Sequence, residues 1–156
     1  MRWRVPLFVC CLGISADAWA LLQSCTVSGV PVSFGIYNPL AGAPTTATGT
    51  VTVSCTVTLI GFLESWTVAL SSGNSGNFTT RRLANGSSSL SYNLYTSAAY
   101  TSVWGDGSGS TSVASGSSLL GVGTTNTNYT VYGRIPAGQD AAAGTFTDTI
   151  VVTLNY

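Results

Sequence analysis

Between residues 48 and 59, Val51, Val53, Cys55, Val57 and Leu59 alternate with Thr50, Thr52, Ser54, Thr56 and Thr58. That period of two is the pattern of a half-buried strand, because successive side chains point to opposite faces. Val30, Val32, Phe34 and Ile36 alternate likewise before a loop at 38–44, as do Trp66, Val68 and Leu70 before a turn at 73–76. The Asn85-Gly86 pair predicts a two-residue hairpin joining 79–83 to 88–95, with Leu90, Tyr92 and Leu94 on one face. Composition makes 105–118 a flexible loop, and strands at 129–135 and 145–156 flank a connection at 136–143. No window shows apolar residues at helical spacing with caps. Seven short strands separated by turn residues predict an all-β fold, an antiparallel β-sandwich with one core between two sheets.

Residues 1–20 read as a leader rather than as part of that fold. Arg2 and Arg4 precede the apolar run 5–14, and Ala18-Trp19-Ala20 is a small-x-small cleavage signal. The run is about half the length that spans a bilayer. Cleavage after Ala20 leaves a single domain at 21–156 and removes Cys10 and Cys11, so Cys25 and Cys55 are expected to pair in an oxidising compartment. Leu22-Gln23-Ser24-Cys25 offers a competing reading as a lipidation box, with Cys25 acylated and Cys55 left as a free thiol.

Charge narrows the chemistry. The sequence has five Lys+Arg, five Asp+Glu, no His and only 6% charged residues beside 45% apolar ones. Without His the commonest neutral-pH proton carrier and metal ligand is missing, and balanced charge offers no basic face to nucleic acid. The many Ser and Thr residues have no His or Lys beyond the leader to activate them, so the sequence predicts no enzyme, no metal site and no cofactor. Asp106, alone among its neighbours in carrying a carboxylate, reads as a turn residue rather than a calcium ligand. Arg134 and Asp148 fall on the last two expected strands and could face each other, while Arg81-Arg82 reads as a solvated strand face. Asn77-Phe78-Thr79, Asn85-Gly86-Ser87 and Asn128-Tyr129-Thr130 match a glycosylation pattern and read as turns.

Phe146, Ile150, Val152, Leu154 and Tyr156 share one face of the final strand, interrupted by Asp148. If that strand is an edge, its free N–H and C=O groups form a template for another chain, and no Lys is present to blunt it. An interior strand of a self-complete sandwich fits the same pattern.

The ordered motifs Cys25-Thr26-Val27, Phe34-Gly35-x-Tyr37, Gly49-x-Val51-x-Val53-x-Cys55, Tyr92-Asn93-Leu94-Tyr95, Trp104-Gly105-Asp106-Gly107, Tyr132-Gly133-Arg134-Ile135-Pro136-Ala137-Gly138-Gln139 and Gly144-x-Phe146-x-Asp148-Thr149 resemble the spore coat protein U domain across 25–156. That family builds subunits of archaic, Csu-type chaperone-usher pili. The resemblance implies an incomplete immunoglobulin-like sandwich lacking its last strand. A periplasmic chaperone, and then a neighbouring pilin subunit delivered at the outer-membrane usher, would supply that strand by β-strand addition. The strand-acceptor edge would be Phe146, Ile150, Val152, Leu154 and Tyr156.

One departure from the family pattern bears on position in the fibre. Polymerising pilins carry a long alternating extension before the first conserved cysteine, whereas cleavage after Ala20 leaves Leu21-Leu22-Gln23-Ser24. Four residues reach about 13 Å, too short to fill a groove one strand long. The expectation is a terminal, tip-located subunit that accepts a donor strand without giving one and serves surface attachment and biofilm formation at the cell surface. Ile60, Phe62, Leu63, Trp104, Leu119 and Leu120, in three loops with glycine neighbours, are candidate apolar surface-binding residues, with packing inside the sandwich as the alternative. A secreted spore or cell coat protein that does not polymerise, and a soluble secreted binding module, are the other function classes.

Overall fold

A computed structural model describes residues 23–58, 62–120 and 122–156. The leader expected at 1–20 and the candidate surface residue Ile60 lie outside the described residues. The described chain forms eight strands: β1 Gln23–Val30, β2 Thr45–Val57, β3 Phe62–Leu70, β4 Arg81–Asn85, β5 Ser88–Tyr95, β6 Ala114–Leu120, β7 Gly123–Ile135 and β8 Val152–Asn155. They build two antiparallel sheets, β1-β2-β7-β5-β4 and β6-β3-β8. Among the described residues, no helix is long and apolar enough to cross a membrane.

The alternation at 48–57 becomes the spine of the first sheet, and Leu59 lies outside the described residues. β2 and β7 pair along their whole length, from Thr45 opposite Ile135 to Val57 opposite Gly123. Val51, Val53, Cys55 and Val57 turn inward and are at most 3% exposed, while Thr52 and Thr56 face out to bond Asn128 and Thr124. Trp66, Val68 and Leu70 of β3 close the core from the other sheet. Each buried Val or Leu contributes about 1.5–3 kcal/mol relative to exposure. Cys25 and Cys55 sit opposite each other in the β1–β2 ladder and form a disulfide.

Four expectations change. The segment 105–118 is not all loop, since β6 starts at Ala114 and pairs with β3. Its inward positions are small because large rings fill the space: a Cβ on Gly116 would lie 2.8 Å from the Trp66 ring and closer still to the Tyr129 hydroxyl, which accepts from Trp66 Nε1 at 2.7 Å. The hairpin is shifted, with Asn85 paired to Ser88 so that Gly86 and Ser87 make the turn. The final strand is short: Thr147 bridges to Ala84 of β4 in the first sheet, and only Val152–Asn155 pairs with β3 in the second. Val32 and Phe34 alternate as expected, but Gly35 at φ 67° breaks the period and leaves Ile36 95% exposed, and residues 31–36 join no ladder.

Candidate functional site

The two segments that alternate without a ladder face each other. Val30, Val32 and Phe34 form one wall of a trough, and Asp148, Ile150 and Val152 the other. Val51, Leu70, Leu83, Leu94 and Val131 line it from the core. This part encloses about 370 Å³. A second cleft of about 850 Å³ continues along Ile36 and Tyr37 on one side and Phe146 on the other, above Leu83, Leu90 and Ile135. Both clefts share Pro31, Val32, Phe34, Leu83 and Asp148, so they make one continuous trough.

Local sequence explains each wall. Pro31 has no N–H to continue the β1–β2 ladder. Val32 and Phe34 then cross the sheet over Gly49 and Gly133, where any Cβ would collide with them: one on Gly133 would lie 2.6 Å from Val32 and 2.7 Å from Phe34. Tyr37 pins the far end of this wall, donating to the Pro136 carbonyl at 3.2 Å and accepting from the Gln139 amide at 2.8 Å. Gln139 in turn brackets Ser91 of β5, accepting from its amide at 2.7 Å and donating to its carbonyl at 2.8 Å.

The opposite wall is held by Thr147, which exchanges two main-chain bonds with Ala84, and by Val151, whose amide donates to Ser71 Oγ and whose carbonyl accepts from the Ser71 amide, both at 2.9 Å. Ser71 is fixed by Arg81. That fully buried guanidinium donates to the Ser71 carbonyl from Nε and Nη2, to Asn93 Oδ1 and to the Trp104 carbonyl, at 2.7–3.0 Å. Burial lowers the Arg81 pKa, and nearby Tyr92 and Asp148 oppose the shift. The expected solvated Arg face is therefore half right: Arg82 is exposed, but Arg81 shares the inward face with Leu83.

Asp148 does not face Arg134. Its Oδ2 accepts from the Tyr92 hydroxyl at 2.8 Å and its Oδ1 from the Asn74 amide at 2.9 Å, while Arg134 stacks over the Tyr100 ring at 5.3 Å. Burial, then the bond to Asp148, pushes the Tyr92 phenol up, so it remains a proton donor. Asp106 forms a turn, its Oδ1 accepting from the Ser108 hydroxyl and amide; the hydroxyl bond chiefly holds its carboxyl below the ordinary value.

Of the expected acceptor residues, Phe146, Ile150 and Val152 line the trough, Leu154 packs on the core opposite Val68, and Tyr156 is 50% exposed. The residues sequence reasoning missed are those of the facing wall, Val32 and Phe34. Their alternation was legible, but it gave no sign that the segment lacks a partner. The candidate surface loops fare differently. Trp104 is 1% exposed and its Nε1 donates to the Val68 carbonyl at 2.8 Å, so it belongs to the core. Phe62 and Leu63 stand in β3 opposite Leu120 and Leu119 of β6, in strands rather than loops.

Each wall adjoins a sheet edge, β1 leading into 31–36 and β8 following 148–151. β1 and β8 end their sheets on the trough, and among the described residues 31–36 make no main-chain hydrogen bond. Between two such edges, half-buried Val32, Phe34, Ile150 and Val152 leave core surface uncovered. A single added β-strand would satisfy both deficits, with main-chain bonds to an edge and alternate side chains in the trough.

The Spore Coat Protein U domain matches residues 12–153. "Protein U" of Myxococcus xanthus is 30% identical over 141 residues, 82% of this chain and 73% of that protein. Among solved structures, the CsuC–CsuE chaperone–tip adhesion subunit pre-assembly complex from archaic chaperone-usher Csu pili of Acinetobacter baumannii aligns with a TM-score of 0.56 over 87% of this chain at 22% identity. The chain spans 40% of the length of the chain it matches there.

Proposed function

The chain belongs to the spore coat protein U domain family, and from that premise we propose that it is a secreted structural subunit of a chaperone-usher pilus, completed in trans by a donor β-strand. The observation that carries this reading is the trough between 31–36 and 148–152, an open core flanked by two sheet edges. A periplasmic chaperone lends the strand first, and a neighbouring pilin replaces it at the outer-membrane usher. The subunit reaches the cell surface after removal of its leader. Its place on this proposal is the tip of the fibre, as for the tip adhesion subunit complex whose fold it shares. Attachment to surfaces and biofilm formation would then fall to the end of the second sheet, where Phe62 and Leu63 are in register with Leu120 and Leu119. Leu63→Asp with Leu120→Asp should abolish attachment, and retained attachment removes that assignment.

The family's description favours a second reading, a secreted coat protein that does not polymerise. Purification from periplasm with and without a candidate chaperone separates the two. A stable one-to-one complex, with the lone chain aggregating or degraded, supports the pilus subunit; equal yield of soluble monomer without chaperone supports the coat protein.

A further inference from the structure

The trough is lined mainly by apolar side chains, with Thr50 in the first cleft and Ser33, Thr145 and Thr147 in the second, and its one charged side chain stands where the two clefts meet. Asp148 lines both. Its carboxylate accepts from the hydroxyl of Tyr92, which is 5% exposed, on Oδ2 and from the amides of Asn74 and Thr149 on Oδ1, which leaves accepting capacity on Oδ2. Arg81 lies close enough for its charge to act on Asp148, but its donors point at Ser71, Asn93 and Trp104. To one side the lining is Val51, Val131 and Val152; to the other it is Leu90, Ile135 and Phe146.

A strand laid here turns every second side chain into the trough, about 6.8 Å apart. One of them covers Asp148. An apolar side chain there removes water from a carboxylate and returns no hydrogen bond, which is costly. A cation would bring a second positive charge beside buried Arg81, itself already penalised by desolvation. A hydroxyl or carboxamide donates one hydrogen bond and adds no charge.

We infer that the strand accepted by this trough carries Ser, Thr or Asn at the inward position over Asp148, with apolar inward residues on both sides. The polar residue sets the register. A slip by two residues would put it in an apolar cleft and an apolar side chain on the carboxylate, two penalties at once. The inference rests on the strand-acceptor reading.

Synthetic strand peptides with Val at every inward position, and variants bearing one Thr or one Lys at each inward position in turn, test it by their Kd for the secreted chain. One Thr position should bind about tenfold tighter than the all-Val peptide, the worth of one hydrogen bond to a charged group. Thr elsewhere should bind more weakly than Val, and Lys at the favoured position should bind more weakly than Thr. Asp148→Ala should abolish the preference for Thr. Tyr92→Phe, which keeps the carboxylate and the ring, should retain it. Val binding at least as tightly as Thr at every position, or a Thr preference that survives Asp148→Ala, overturns the inference while leaving strand acceptance intact. Failure of every peptide to bind overturns strand acceptance itself, and the inference with it.

Discussion

Arg81 donates two hydrogen bonds to the carbonyl oxygen of Ser71, at 3.0 Å from Nε and 2.7 Å from Nη2, and so fixes the residue that grips Val151 in the trough wall. A buried cation is thereby solvated by main-chain carbonyls and one carboxamide. Arg81→Met removes the charge but strands these acceptors, and Arg81→Lys keeps the charge but loses the planar fork. Both should lower stability by roughly 3 kcal/mol, or about 6–12 °C in Tm for a domain of this size, measured by thermal unfolding. A loss under 1 kcal/mol in both would show that the network does not hold the fold.

Gly133 lies beneath Val32 and Phe34, the wall opposite Asp148. An alanine there lifts two side chains that have free space on one side only, the trough. Gly133→Ala should therefore weaken binding of a donor-strand peptide about tenfold or more while lowering the stability of the unfilled chain by no more than about 1–2 kcal/mol. Titration calorimetry with a peptide, set beside denaturant unfolding without it, separates the two effects.

The Cys25–Cys55 bond closes a loop with a sequence separation of 30. In the chain-entropy model such a cross-link contributes roughly 3–4 kcal/mol. The Cys25→Ser, Cys55→Ser double variant should lose about that much stability, seen as a lower urea midpoint with a similar slope. Intact mass of the mature protein should show a disulfide and no lipid adduct on Cys25.

Gly116 sits against the Trp66–Tyr129 hydrogen bond. Gly116→Ala should cost about 1–3 kcal/mol by overpacking. The same residue shows why part of the fold was hidden in the sequence. β6 carries no alternation, because Trp66 and Tyr129 fill the volume an inward side chain at Gly116 would occupy, so Ala114, Gly116 and Ser118 gave no apolar period. Where the strand supplied the bulk itself, as in Val51 to Val57, its register was plain. Alternation reports which side chains share a face that could be covered, not which main chain is paired, and even the covering failed at Val30 and Ile36, which are exposed. It therefore marked 30–36 and 145–151 as strands although they run largely without ladders. Arg81 misled for a related reason: charge argued for solvent, while its spacing from Leu83 placed both on one face.

Hydrogen exchange at the trough walls tests strand acceptance most directly. In the isolated chain the amides of 32–36 should exchange at close to unprotected rates, while those of β2 and β7 remain slow. A donor-strand peptide at 100 times its Kd should slow exchange along 32–36 or along the free edge of 148–155 by about 100-fold. Protection of both walls in the chain alone, unchanged by any donor peptide or chaperone, would contradict the account.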